Sequence, residues 1–251
     1  GIFDSGSGGL SVLSAIRELL PSTDFIYFGD IKNAPYGEKS PEELSTLTAY
    51  AIHFLQSHGV QNIVSACNSV SASLATSLLR VSDFPSDKII EMVEPTANSF
   101  NGSDERVLLC ATSATIRSGI YQNGFCMLGK DITTVAIPEL AGAIEFGISE
   151  KDIEQIIMSA FVKVPPKTFD TLVLGCTHYP LVEHIFTKIL GSSVRIVDPA
   201  QAVAKRVKEQ FSSHEAQTGT THFYITKESM QFRSRVATLF PQSANTIEVL
   251  E

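Results

Sequence analysis

No apolar run in the 251 residues approaches the roughly 20 that a membrane-spanning helix requires, so no membrane-spanning helix is expected. Lys and Arg form no cluster and the formal net charge is -8. A nucleic-acid-binding face needs clustered positive charge, so that class is set aside. The four cysteines, Cys67, Cys110, Cys126 and Cys176, form no close-spaced framework of the kind that staples small secreted domains. The expectation is a reducing compartment, the cytoplasm. Zinc needs three or four converging ligands, usually seeded by a close Cys pair; Cys176-Thr177-His178 supplies one Cys and one His, so no metal is expected. The Gly-rich opening stretch lacks the Gly-Lys-Ser/Thr of a Walker loop, and a dinucleotide fingerprint fails at its last position, Ser11. Gly1 already falls inside an apparent strand, so the natural chain is expected to start further upstream.

What is there describes an ordinary globular protein, with 43% hydrophobic and 18% charged residues and a length that suits one large domain or two of ordinary size. The most informative stretch is Thr171 to Pro180. An apolar run, Leu172-Val173-Leu174, ends in Gly175 and is followed at once by Cys176, Thr177 and His178, before a helical pattern at Leu181, Ile185 and Ile189. A second unit of the same design occupies Asn62 to Ser69, with Cys67 after Ile63-Val64-Ser65-Ala66 and a helix expected over Ala72 to Leu79.

The remaining chain alternates strands with helices, which predicts a parallel-sheet α/β protein. Strands are expected at Phe25–Phe28, Lys88–Val93, Arg106–Ala111, Thr134–Ile137, Val194–Val197 and Phe223–Thr226. Helices are expected from Pro41 to about Ser57, over Asp152–Val164, Ala200–Phe211 and Met230–Leu239. Glu94-Pro95 reads as a turn, and Asn101–Asp104 as a polar loop separating two halves. Each half holds a strand with a polar turn, Phe3-Asp4-Ser5-Gly6 or Ala111-Thr112-Ser113, followed later by a strand with a Cys turn. Duplicated halves facing one another would bring two equivalent thiols to one cleft.

Several features carry bland readings. The glycines at 6, 8 and 9 by themselves allow a tight strand-to-helix turn, although the exposed amides of such a turn suit an anion, and Asp4 and Ser5 favour a site. Pro35-Tyr36-Gly37 by itself is a turn with an aromatic on a loop. Cys110 and Cys126 read as small buried hydrophobes, His53 and His58 as surface residues, and Glu145 as a solvated charge near a helix beginning.

Two thiols across one cleft suit proton transfer on both faces of a carbon. Inverting a stereocentre by deprotonation needs a base on one side and an acid on the other, with the roles exchanged in reverse. One thiolate and one thiol meet that need, since a Cys at a helix N-terminus or beside a cation ionises near neutrality. Asp4, Glu145 and His178 flank the two units and are placed to tune or relay these protons. An amino-acid α-proton is weakly acidic, so the site must also supply hydrogen bonds and exclude water.

Phe-Asp-Ser-Gly-x-Gly-Gly-Leu at 3–10, Pro-Tyr-Gly at 35–37, Ala-Cys-Asn-Ser at 66–69, Ala-Thr-x-x-Ser at 114–118 and Leu-Gly-Cys-Thr-His-Tyr-Pro-Leu at 174–181 together resemble the glutamate racemases. The resemblance spans nearly the whole chain in the family's order. It implies two pseudo-symmetric Rossmann-like lobes, 1–93 with 206–251 and 94–205, with the active site in the cleft between them. It further implies a cofactor-independent enzyme that supplies D-glutamate for peptidoglycan, a homodimer, and a cell-wall precursor as a potential activator. Cys67 and Cys176 would be the paired acid and base, Asp4 assisting the first and His178 the second, with Asp30 and Glu145 in support. Ser5, Pro35, Tyr36, Gly37, Asn68, Ser69, Thr112, Thr115 and Thr177 would hold the substrate. The chain departs from the family pattern at Ser69 and Val70 (usually Thr-Ala), at Ala111 (Gly), at Ile137 (Cys) and at Gly142 (Pro); the 137–142 segment bears on how Glu145 is presented.

Other readings have distinguishing marks. A racemase of aspartate or another amino acid would keep the thiols and change the substrate; Cys-Thr-His with Pro-Tyr-Gly favours glutamate. A Cys176–His178 hydrolase leaves the Cys67 unit without a role. A non-catalytic binding protein would bind ligand without proton exchange.

Overall fold

Short runs rich in Val, Ile, Leu and Phe form strands because both faces are covered by helices, which removes the need for alternating polarity. The computed structural model describes residues 1–71, 73–74, 84–165, 167–211, 219–241 and 245–250. Its strands in chain order are Ile2–Asp4 (β1), Phe25–Gly29 (β2), Ile63–Ser65 (β3), Ile89–Ile90 (β4), Val107–Ala111 (β5), Thr133–Ala136 (β6), Thr171–Gly175 (β7), Arg195–Val197 (β8), Thr221–Ile225 (β9) and Asn245–Val249 (β10).

They form two sheets. The first has the order β10-β9-β2-β1-β3-β4 and the second β6-β5-β7-β8. Every pairing is parallel, with Ile2 opposite both Tyr27 and Val64 in the first sheet and Val107 opposite Thr171 in the second. Each sheet lies between two apolar layers. In the first, Leu13, Ile16, Val203 and Phe232 pack on one face and Leu44, Ile52 and Leu55 on the other. In the second, Ile144, Ile157, Ile185 and Phe186 cover one face and Phe100, Tyr121 and Phe125 the other. The chain leaves the first sheet after β4 and returns through helix Ala200–Phe211, which packs along helix Leu10–Leu19. That returning helix spans the expected 205/206 boundary.

The strand order places the site. In an open parallel sheet, ligands bind beyond the carboxyl ends of the strands, where the connections diverge to opposite sides. That point lies between β1 and β3 in the first sheet and between β5 and β7 in the second. The loops leaving these four strands carry Asp4 and Ser5, Cys67, Thr112, and Cys176.

Several expected elements take another form. Of Lys88–Val93 only Ile89 and Ile90 pair as a strand, and Glu94-Pro95 begins the helix Val93–Asn98 rather than a turn. The Glu91 carboxylate accepts from the Val93 and Glu94 amides, both at 2.6 Å, and so starts this helix; Pro95 in its first turn costs nothing there. Pro180 lies in a 3-10 turn, Tyr179–Val182, and the α-helix begins at Glu183. Strand β10, at the edge of the first sheet, was not foreseen. The helix from Pro41 does reach Ser57, opened by a Ser40/Glu43 capping box. Apart from residues 73 and 74, the helix expected over Ala72–Leu79 lies outside the described residues.

Candidate active site

The two Cys turns meet. Cys67, at the end of the β3 unit, and Cys176, directly after β7, line one narrow cavity of about 10 Å³ between the sheets. Ser5, Pro35, Tyr36 and Gly37 form one part of its wall; Asn68, Ser69, Thr112, Thr177 and His178 form the rest with Ala141, which sequence reasoning missed. Both sulfurs are buried, with 5% of Cys67 and 6% of Cys176 exposed. Among the described residues, no three His, Cys, Asp or Glu side chains are grouped to hold a metal ion.

The surroundings of the two thiols differ. Burial pushes the Cys67 thiol up, and the Asp4 carboxylate and Cys176 add to this, against the opposing Val70 and Ser69 amides. Cys176 Sγ lies 3.9 Å from His178 Nδ1, and His178 Nε2 lies 2.7 Å from Glu145 Oε2. Burial opposes charge on His178, but hydrogen bonds and attraction from Cys176 and Glu145 outweigh it and raise the imidazole to about 10. Burial likewise opposes charge on Glu145, yet His178, Ser7 and Arg235 hold its carboxyl down to about 2. The pair is an imidazolium and a carboxylate.

Glu145 therefore departs from its sequence reading. It sits in the last turn of helix Leu140–Phe146, not near its beginning, and is 2% exposed rather than solvated. The Gly-rich turn explains why. A Cβ on Gly6 would meet Glu145 Oε1 at 2.8 Å, and one on Gly8 would meet Thr177 Oγ1 at 2.5 Å and His178 Nδ1 at 2.6 Å. The glycines thus let backbone from the first sheet press against Glu145, Thr177 and His178 from the second. The turn's amides do bind anions, but the anions belong to the protein: Gly6 and Gly9 donate to Asp4 Oδ2 at 3.1 and 3.0 Å, and Ser7 donates to Glu145. Thr177 reaches across to donate to Asp4 Oδ1 at 3.2 Å.

Asp4, Asp30, Glu145 and Thr115 stand behind the cavity wall rather than in it. Asp30 accepts from the Tyr36 hydroxyl at 2.6 Å, from Thr226 Oγ1 at 2.8 Å and from Asn33 Nδ2, which fixes Tyr36 as a buried wall rather than a loop aromatic. Hydroxyls of Ser69, Thr112 and Thr115 form a cluster with separations of 2.9 to 3.4 Å. The Asn68 Oδ1 accepts from Tyr121 at 2.6 Å, while its buried Nδ2 has no partner among the described residues. A buried amide N–H₂ facing a cavity without an acceptor is poised for an anionic ligand atom. Away from the site, Cys110 is buried as expected; Cys126 is exposed, because it ends a helix whose inward positions are taken by Tyr121 and Phe125. His53 and His58 are exposed as expected.

Residues 7–207 match the profile of the Asp/Glu/Hydantoin racemase family. The chain belongs to that family. Among racemase relatives, "Glutamate racemase 3" of Caldanaerobacter subterraneus subsp. tengcongensis is 35% identical over 92% of this chain and 87% of its own length. The glutamate racemase isoform RacE1 of Bacillus anthracis superimposes with a TM-score of 0.88 at 26% identity, covering 100% of this chain and 96% of that one. The Escherichia coli glutamate racemase, solved with L-glutamate and the activator UDP-MurNAc-ala, superimposes with a TM-score of 0.77 at 27% identity over 99% and 97% of the two chains. The racemase fold therefore extends over the two sheets and the cleft that joins them.

Proposed function

We propose that this racemase interconverts L- and D-glutamate by two-base proton transfer between Cys67 and Cys176. The observation that carries the reading is the meeting of these two thiols, each at a strand end of a different sheet, in one narrow cavity. A thiolate on one side takes the α-proton, and the thiol on the other gives its proton to the opposite face. The C–H bond breaks on one side as another forms on the other, and the resting proton count is restored when the roles exchange.

Burial and the Asp4 carboxylate disfavour the Cys67 thiolate. Cys176 Sγ faces His178 Nδ1 across 3.9 Å. The Asn68 amide and the Ser69 and Thr112 hydroxyls, backed by Thr115, supply donors for carboxylate, and exclusion of water strengthens them as charge develops at the α-carbon. The chemistry asks nothing of a cofactor. By likeness to its relatives we further assign D-glutamate supply for peptidoglycan in the cytoplasm, a homodimeric assembly, a cell-wall precursor as activator, and folding units at 1–93 with 206–251 and 94–205.

The test is incubation with D- or L-glutamate in deuterated water without added cofactor, following α-proton loss by NMR together with optical rotation. Exchange with racemisation is expected in the wild type, and Cys67→Ala and Cys176→Ala each lower turnover by at least about 100-fold, the scale of a positioned acid or base. Exchange with aspartate but not glutamate would move the substrate and keep the mechanism. Turnover surviving loss of either thiol would end the two-base reading.

A further inference from the structure

Glu145 lies where a carboxylate is poorly placed, in the last turn of helix Leu140–Phe146, beside carbonyls that the helix leaves free. Two cations compensate. One is His178; the other is Arg235, from helix Met230–Leu239 of the first lobe, which no motif in the sequence marks. The Arg235 Nη2 donates to the Ile144 carbonyl at 2.7 Å, one of those free helix-end groups. Its Nη1 donates to the Ser7 hydroxyl and lies 3.3 Å from Glu145 Oε2. That same oxygen accepts from His178 Nε2 at 2.7 Å and from the Ser7 hydroxyl. The guanidinium and the imidazole thus draw on one carboxylate oxygen.

We propose that Arg235 is a positioning residue for the racemisation, acting on Cys176 through Glu145 and His178: by sharing Glu145 Oε2 it limits how tightly that carboxylate holds the imidazole's proton. This rests on the two-thiol reading of the site. Besides Arg235, the titratable groups facing Glu145 are His178 and Tyr27, whose hydroxyl donates to the Gly6 carbonyl at 2.8 Å; His178 is faced by Glu145 and Cys176. Arg235 does not line the cavity, so it reaches substrate only through this chain. Without it, the full carboxylate charge falls to His178 and the imidazolium becomes a weaker acid. With it, the proton stays mobile enough to follow the thiol as Cys176 alternates between acid and base.

The test compares wild type with Arg235→Met, Arg235→Gln and Arg235→Lys, titrating the His178 imidazole by nitrogen-15 NMR, with the resonance assigned through His178→Asn. Loss of the charge in the Met and Gln variants raises the His178 midpoint by about one unit, whereas Lys stays within about half a unit of wild type. In parallel, kcat for Met and Gln falls about three- to tenfold with KM within about twofold, because a weaker acid returns its proton more slowly. Lys recovers most of kcat. The Gln variant keeps a hydrogen-bonding side chain of moderate size, so it decides the matter where Met disturbs packing. An unchanged or lowered midpoint in the charge-free variants overturns the proposal, as does an equal loss of kcat in the Lys variant. Should wild type fail to exchange the glutamate α-proton, the substrate reading falls, while the imidazole titration still decides the role of Arg235.

Discussion

At the scale of single residues, the Glu145–His178 pair has the largest consequences. Both groups are buried, their 2.7 Å contact leaves no room for water, and breaking such a pair by removing one partner costs about 3 kcal/mol or more. Its pH dependence has a definite sign on each side. The Glu145 carboxyl lies at about 2 against an ordinary 4.5, so its contribution is complete above 4.5 and is lost as pH falls towards 2. His178 lies at about 10 against an ordinary 6.5, so its contribution is complete below 6.5 and is lost as pH rises towards 10. Glu145→Gln should therefore destabilise the protein most between pH 4.5 and 6.5, with the gap to wild type narrowing on both sides. Urea unfolding of both proteins from below pH 4.5 to above pH 6.5 measures it, and a gap that stays constant on both sides of that window would show that the pair is not ionic. His178 draws attention in the sequence by lying two residues after Cys176, but no local signal shows Glu145 as buried. A lone Glu near the end of a helix acquires its role from Ser7, Arg235 and His178, which lie 138, 90 and 33 positions away.

At the scale of elements, the strand-to-helix turn after β1 shows why a motif and its physical purpose are separate things. The glycines were legible as a tight turn with free amides. What the turn packs against was not. Gly8 is the sharpest case, because a methyl group there would enter space held by Thr177 and His178. Overpacking of this kind costs about 1–3 kcal/mol, and here the cost falls on the apposition of the two loops rather than on either sheet. We expect Gly8→Ala to keep its far-ultraviolet circular dichroism while kcat/KM falls about tenfold to 100-fold, since each tenfold corresponds to about 1.4 kcal/mol. For a reaction whose equilibrium constant between enantiomers is unity, kcat/KM must fall equally in both directions. Measured activity within about twofold of wild type would mean that the loops have slack. Elements set by local chemistry were the most readable: the helix that opens at Pro41, the helices Ala200–Phe211 and Met230–Leu239, and the apolar β7. The Val93–Asn98 helix was misread as strand and turn because its start depends on the Glu91 side chain, and β10 because an edge strand answers to its neighbour β9 more than to its own sequence.

At the scale of the whole molecule, the cavity of about 10 Å³ has room for little more than one water, so substrate entry requires the two lobes to part. Parting breaks contacts that cross between them, among them Ser7 and Arg235 to Glu145, Thr177 to Asp4, and Tyr121 to Asn68. Amide exchange at Ser7, whose N–H donates to Glu145, should report this opening and slow at least about fivefold under saturating glutamate, because ligand held by both lobes favours the closed form. Exchange unaffected by substrate would place entry elsewhere. The sequence by itself determined the parallel α/β class, the repetition of a polar turn and a Cys turn in each half, and the identity of the two thiols, because these follow from local hydrophobic runs and the residues that end them. Only the tertiary structure decided that the two Cys turns share a cavity, that Glu145 takes the Ser7 amide of the Gly-rich turn, and that Arg235 reaches Glu145. Those contacts link residues from opposite lobes, and their geometry is set by how two sheets pack rather than by any neighbour in the chain.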